Sequence, residues 1–509
     1  PNNTTNGNPQ TPDKQNWRDH ELVTKSKKLL TRARKIERIN NINAAIETKR
    51  KTDITRISRL IKNIFTEDDD SRKKLDILRL TPDGDPITDE EEIKTTIMNH
   101  MKAKMNKIPK ERTEEQNESY NKIYTIDDTV QPEWTENITG TEFTIEELRA
   151  QIKNRANNKG PGPDGINYEI LKIIATDPDE DIQIDPPEYD PNVTEEEAQQ
   201  IHDQNIEAHR QNRKKALYAL LQIMNDSLRL RSFPKDINKG IISLLPKIKD
   251  WAGEIDKLRP ITLLNVLRKI YEALLMDRIT KALIKYPIMT GTNFGFTIGK
   301  GTAEPIFILK NIIDIFNKTN KTLYYAILDV QQAYDSVPIT GIQAALRRKK
   351  FPQQFIDIIT DLHNSRELAI NTAYGPTDNF QTNLGIPQGG ILSTFLWNIF
   401  YDPLLNELEK RTTGIQIGET FKLSAPAFAD DLHPMAETIT DLQKQLDIIT
   451  EFLTLNEMKM GISKTWILTN REKEHEDFPS KTDLKIGGQF IENIKEPHEL
   501  SRILGVHLT

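Results

Sequence analysis

Cysteine is absent from this chain. That excludes disulfide frameworks, thiolate nucleophiles and Cys-ligated zinc or iron–sulfur sites, and is compatible with a reducing compartment. No run approaches the roughly 18 consecutive apolar residues that a membrane helix requires. No basic start is followed by an apolar stretch, so no secretory leader is expected and the reading is a protein that is not secreted, with no membrane partner. The nine histidines show no HExxH-like spacing, which leaves histidine metal chemistry unsupported. A P-loop is missing too. Gly299-Lys300-Gly301-Thr302 has the right ending, but Phe294 stands where the earlier glycine belongs. The chain begins with Pro1 rather than Met, as a processed or trimmed piece would. Its 509 residues are enough for about three domains and a large core.

An excess of positive charge is also missing, since the net charge is −7. Its distribution reverses the impression. Residues 176–197 (TDPDEDIQIDPPEYDPNVTEEE) hold ten Asp/Glu and no Lys/Arg, and the remainder of the chain without them carries +3. A Pro-rich acidic run of this kind reads as a solvated insertion. Residues 15–63 carry fourteen Lys/Arg against five Asp/Glu. Apolar residues recur there at helical spacing, at Leu29, Ala33, Ile36 and at Ile54, Ile57, Ile61, Ile64. This predicts basic amphipathic helices, either a solvated face or an arm that tracks phosphates. Residues 1–16 are too polar to order by themselves.

Further along, mixed polar sequence runs to about residue 140. Thr144 and Glu147 form a capping box that opens a helix with Ile145, Leu148 and Ile152 as its stripe. Residues 159–165 (KGPGPDG) break regular structure. Helices are expected over 216–230, 265–283 and 391–405. Buried strands are expected over 240–246 and 324–329, and a hairpin within 423–436. Strands and helices mix without regular alternation, which favours α+β over a doubly wound sheet.

Three segments combine into a chemical constellation: AILDVQQAYD (326–335), GIPQGGILST (385–394) and AFADD (427–431). Adjacent Asp residues at a turn are ordinarily solvated turn formers. Here an apolar strand ending in Asp430-Asp431 is joined by another ending at Asp329. Carboxylates at the ends of neighbouring strands can hold two divalent cations about 4 Å apart, the arrangement that phosphoryl transfer uses. Oxygen ligands of this type suit Mg²⁺.

These segments resemble those of reverse transcriptases. Asp329 with Tyr334 looks like motif A, Pro387-Gln388-Gly389 like motif B, and Phe428-Ala429-Asp430-Asp431 like motif C. Residues 460–465 (MGISKT) are similar to motif D and 503–506 (ILGV) to the start of motif E. KGPGPDGI (159–166) resembles a signature of non-LTR, LINE-type elements. Leu245-Pro246-Lys247 with Leu258-Arg259-Pro260-Ile261, and NFGFTIGKGT (293–302), are similar to further segments of that family. The order holds from about residue 141 to the C-terminus.

The resemblance implies a right-hand polymerase fold, with an antiparallel palm sheet flanked by helices. It implies a helical extension over 1–140, fingers over 141–320 and palm over 321–509, with the reverse transcriptase domain over about 227–509. Thumb and endonuclease segments are not recognisable. Asp329 and Asp430, with the backbone carbonyl of Val330, would bind two Mg²⁺ ions, Mn²⁺ being a substitute, and Asp431 would sit beside them. Tyr334 would exclude a ribose 2′-OH. Lys247 and Arg259 would clamp the triphosphate. Gln388 and Gly389 would line the nucleotide pocket, Lys464 would protonate pyrophosphate, and Gly505 would belong to the primer grip. The partners implied are template RNA, primer or target DNA, and dNTPs.

Departures from the family pattern are Thr297, Thr394 and Gly461, and Pro434 after the Asp pair. Pro cannot donate to a sheet ladder, so the strand it interrupts must lie at an edge or bend early. Two alternatives stand beside the LINE reading. One is a domesticated RNA-binding scaffold without catalysis, against which three retained carboxylates argue. The other is a group II intron or telomerase-like reverse transcriptase, against which KGPGPDG and FADD argue.

Overall fold

A computed structural model of the chain describes residues 78–81, 84–176, 194–247, 253–364, 366–419, 421–495, 501–503 and 506–508. The chain divides into residues 1–74 and 75–509, and all described residues belong to the second unit. The basic segment 15–63, most of the acidic run and Gly505 lie outside the described residues.

The stretch read as mixed polar sequence holds helices. Glu90–Met105 starts at Asp89, whose side chain accepts from the Glu92 N–H, and buries Ile93, Ile97, Met101 and Met105 at four-residue spacing. Glu114–Ile123 opens with a full capping box between Thr113 and Gln116. The Thr144–Glu147 box forms as expected and starts the helix Ile145–Lys153. The helix expected over 216–230 is the last part of a longer one, Glu195–Leu230. Its first half is too polar to carry an apolar period, but Thr194 and Glu197 cap it.

Two sheets frame the centre. In the first, β1 (Lys239–Pro246) pairs antiparallel with β2 (Leu258–Leu264) and parallel with β3 (Glu367–Thr372). Pro260 falls in β2, which is the edge strand, so its missing N–H costs no ladder bond in the interior. Ile242, Leu244, Leu258, Leu368 and Ile370 from this sheet pack on Ile93, Ile97 and Met101. In the second sheet Tyr324–Ile327 lies between Met435–Ala436 and Trp466–Thr469, both antiparallel to it. Ile494–Lys495 adds in parallel to Trp466–Thr469. The sheets are therefore mixed rather than wholly antiparallel. Met435–Ala436 is an edge, directly after Pro434, as the proline argument requires.

The helix Ser393–Arg411 runs through the main core. Trp397, Phe400, Tyr401 and Leu404 on it are fully buried. The helix is buried around most of its circumference, with Asn398, Asp402 and Glu407 among the buried residues, which makes it a central one. Among the described residues no helix is long and apolar enough to cross a membrane.

Candidate active site

The site forms where the expected Asp-bearing segments meet. Leu328 pairs with Leu432 in an antiparallel bridge, its N–H donating to the Leu432 carbonyl at 3.1 Å. That pairing brings Asp329, just past Tyr324–Ile327, beside the hairpin formed by Ala427–Phe428 and Asp431–Leu432. The hairpin turns through Ala429 and Asp430. Ala429 has φ +58°, a left-handed conformation at the turn position that a type II′ hairpin reserves for glycine.

The three carboxylates feel one another. Burial pushes the Asp430 carboxyl up, and the Asp329 charge adds to this, while a backbone hydrogen bond, Arg259 and Lys464 oppose it. Burial, then Asp430 and Asp329, push Asp431 up to about 6. Such crowding of like charge calls for a cation. In this structure the nearest is Lys464, whose Nζ lies 3.1 Å from Asp329 Oδ2. Among the described residues no group of three or more His, Asp or Glu side chains is gathered tightly enough to hold a metal ion as it stands. The donor set nevertheless fits a hard divalent cation: carboxylate oxygens with unbalanced negative charge. Gly461 explains one departure from the family pattern. A Cβ there would sit 3.0 Å from both the carbonyl and Oδ2 of Asp329, and its N–H donates to that carbonyl at 2.8 Å.

The other expected residues surround this centre. Tyr334 is close enough to Asp430 to feel its charge. That charge adds to burial in holding the phenol well above its usual range. Its ring stacks on Trp397 with centroids 5.2 Å apart. Arg259 on β2 sits opposite Leu245, and Lys247 follows β1. Lys247 Nζ donates to the Asp256 carbonyl at 2.9 Å. Burial and then the charges of Lys104 and Lys464 lower the Lys247 pKa. Lys104, on the helix Glu90–Met105 and paired with Asp256 at 2.8 Å, thus joins the cations that sequence reading named as Lys247, Arg259 and Lys464.

The motif B loop is fastened from both sides. The Thr262 N–H donates to the Gln388 carbonyl at 2.9 Å, and a Cβ on Gly389, which has φ +141°, would meet the Thr262 carbonyl at 2.3 Å. Gln388 Nε2 donates to Asp335 Oδ1 at 3.1 Å. Burial pushes the Asp335 carboxyl up to about 6, with Gln388 and Lys104 opposing. Beyond the loop, Glu272 Oε2 accepts from the Ile391 N–H at 2.6 Å, and its Oε1 accepts from Arg268 Nε at 2.9 Å. Asp335, Glu272 and Arg268 escaped the sequence reading. Only Asp335 left a trace, as the last residue of AYD.

The reverse transcriptase (RNA-dependent DNA polymerase) family matches residues 245–508. The chain belongs to that family. Among curated relatives it is 27% identical over 292 residues to the Retrovirus-related Pol polyprotein from type-2 retrotransposable element R2DM of Drosophila melanogaster, covering 57% of this chain and 27% of the relative. It is 28% identical over 245 residues to the RNA-directed DNA polymerase from mobile element jockey of Drosophila funebris, covering 47% and 25%. The Transposon TX1 uncharacterized 149 kDa protein of Xenopus laevis is 22% identical over 336 residues, covering 64% and 22%. The chain thus spans about a quarter of the length of these relatives. All three come from transposable elements, in line with the LINE-type resemblance. A solved structure of apo telomerase from Candida Tropicalis aligns with 47% of this reverse transcriptase and 52% of its own chain, at 16% identity and a TM-score of 0.33, too loose a likeness to argue from.

Proposed function

We propose that the chain is the polymerase part of a LINE-type retrotransposon protein and copies RNA into DNA by adding dNTPs to a primer 3′-hydroxyl. One observation carries this reading. The pairing of Leu328 with Leu432 puts Asp329, Asp430 and Asp431 within electrostatic reach of one another, next to Tyr334 and a cationic rim.

Asp329 and Asp430, with the Val330 carbonyl, would hold two Mg²⁺ ions, or Mn²⁺ in their place. Bound there, the ions would polarise the 3′-hydroxyl and neutralise charge on the leaving oxygen. The chain's own residues do the rest. Lys247 and Arg259 bind the triphosphate, Lys as a point charge and Arg as a fork. Tyr334, braced on Trp397, closes the space a 2′-OH would need. Gln388 and Gly389 line the nucleotide pocket, held by Thr262 and Asp335. The primer 3′-hydroxyl gives up its proton to solvent as its oxygen bonds to the α-phosphorus and the bond from that phosphorus to pyrophosphate breaks. Lys464 releases Asp329 and delivers a proton to the departing pyrophosphate. Gly505 contributes to the primer grip. In domain terms, 1–140 is an N-terminal extension, 141–320 fingers and 321–509 palm, with the reverse transcriptase domain over about 227–509. Template RNA and nicked target DNA are the partners, and nucleus and cytoplasm the compartments.

Primer extension on poly(rA)/oligo(dT) with Mg²⁺, wild type beside Asp430→Asn, tests the proposal. Extension by the wild type and its loss in the variant are expected. A folded wild type that binds the template–primer yet adds no nucleotide would leave the non-catalytic scaffold as the better account.

A further inference from the structure

One side chain outside the resemblance touches two parts of the site at once. Trp397 lies one turn into the helix Ser393–Arg411 and is fully buried. One face of its ring environment is Tyr334, at 5.2 Å between centroids and 20° between planes. Tyr401 stacks on it as well, at 5.0 Å. Its Nε1–H donates to the carbonyl of Ala429 at 2.7 Å. That carbonyl belongs to the left-handed residue immediately before Asp430.

A buried Trp N–H needs an acceptor, and a buried carbonyl in a turn needs a donor. Each answers the other here. The bond also opposes a local preference, since an L-residue with a Cβ leaves the left-handed region readily when nothing holds it. The next residue on the helix reinforces the arrangement. Asn398 Nδ2 donates to the Gly295 carbonyl at 2.9 Å, and Gly295 packs so closely that a Cβ on it would meet the Ala429 nitrogen at 2.1 Å. The turn is thus held by the helix on one side and by the 293–295 segment on the other.

We propose that Trp397 is a positioning residue that ties the aspartate-bearing turn and the Tyr334 ring to one rigid helix, through its N–H and its ring face respectively. This rests on the proposed polymerase reading for its kinetic consequences, but the hold on the turn stands on geometry alone. The two contacts separate by substitution. Trp397→Phe keeps an aromatic face for Tyr334 and removes the donor. Trp397→Leu removes both.

Hydrogen exchange on the purified chain reads the turn without requiring activity. Trp397→Phe should speed exchange of a peptide spanning 427–433 at least about tenfold, with little change in peptides from the distant helix Glu195–Leu230. Steady-state extension on poly(rA)/oligo(dT) reads the consequence. Trp397→Phe should lower kcat about tenfold, with the preference for dTTP over UTP retained. Trp397→Leu should lower that preference too. Adding Ala429→Gly to Trp397→Phe removes the Cβ that resists the left-handed turn, and should restore part of kcat. Unchanged exchange at 427–433 in Trp397→Phe overturns the proposal whether or not the wild type polymerises. So does a loss of exchange protection and kcat that is uniform along the chain and not recovered by Ala429→Gly, which would mark Trp397 as ordinary core. A wild type that fails to extend, with exchange altered as expected, would count against the polymerase reading and leave the hold on the turn supported.

Discussion

At the scale of single residues, charge crowding decides the behaviour of the site. Burial and like charge raise both Asp430 and Asp431, so replacing Asp430 removes a proposed metal ligand and relieves repulsion at once. Asp430→Asn should therefore fold at least as stably as the wild type while extension falls by about 10²–10³-fold or more. That range is what loss of several kcal/mol of transition-state stabilisation amounts to. Thermal melting beside primer extension checks the pair of outcomes. Tyr334→Ala should act on selectivity instead, raising UTP incorporation relative to dTTP by about tenfold or more, as measured by the kcat/KM ratio. His363 supplies a stability effect away from the chemistry. Burial, with Arg366 and Arg268 adding to it, pushes its pKa down to about 3, against about 6.5 when unfolded. A group with a depressed folded pKa binds its proton first in the unfolded chain. Its contribution is therefore complete above about pH 6.5 and is lost as pH falls towards 3, by up to about 1.4 kcal/mol per pH unit. His363→Gln should flatten the stability profile in that window, read by denaturant melts at pH 4 to 7.

At the scale of elements, two devices connect parts far apart in the chain. Arg278 on the helix Val266–Lys285 makes a bidentate pair with Glu147, at 2.8 and 2.9 Å, and donates to the carbonyls of Thr141 and Glu142. It also sits over the Phe143 ring, 4.4 Å from its centre. One guanidinium thus fastens the capping box at Thr144 to that helix. Arg278→Ala leaves Glu147 half-buried without its cation and should cost about 3 kcal/mol. Hydrogen exchange should rise first over residues 138–153. The second device is the motif B loop. Gly389 has a φ that a residue with a Cβ seldom adopts, and a Cβ there would strike the Thr262 carbonyl, so Gly389→Ala must push the loop off β2. A lower melting temperature and a raised dNTP KM are the expected readings.

At the scale of the whole molecule, the net charge of −7 hides a basic N-terminal segment and an acidic insertion. If the segment over 15–63 tracks phosphates, deleting residues 1–74 should lower the slope of log affinity against log salt by about 0.7–0.9 for each phosphate it no longer neutralises. Filter binding to single-stranded RNA over a salt series measures it. An unchanged slope would leave that segment as solvated charge without a phosphate-tracking role.

Much of the fold was legible in advance for identifiable reasons. The Thr144 capping box, the strands at 240–246 and 324–329 and the helix over 391–405 have strong local patterns, and they form within two or three residues of expectation at most ends, the last running from Ser393 on to Arg411. The helices Glu90–Met105 and Glu114–Ile123 were missed because their apolar stripes are thin, although Thr113 and Gln116 spelled out a cap. The half of Glu195–Leu230 that is exposed had no period to read.

The linear order of residues determined the family to which this chain belongs. Asp329 follows an apolar strand, Asp430 and Asp431 lie at a hairpin turn, and the resemblance of their segments to motifs A and C marks them out. Which groups hold them could not be read there, because Gly461 against Asp329, Trp397 on Ala429, and Asp335 on Gln388 are contacts between segments 32 to 132 residues apart. Local pattern reports a residue's own preference for helix, strand or turn. Which buried donor meets which buried acceptor is decided only when the core closes and each must find a partner or remain unpaired.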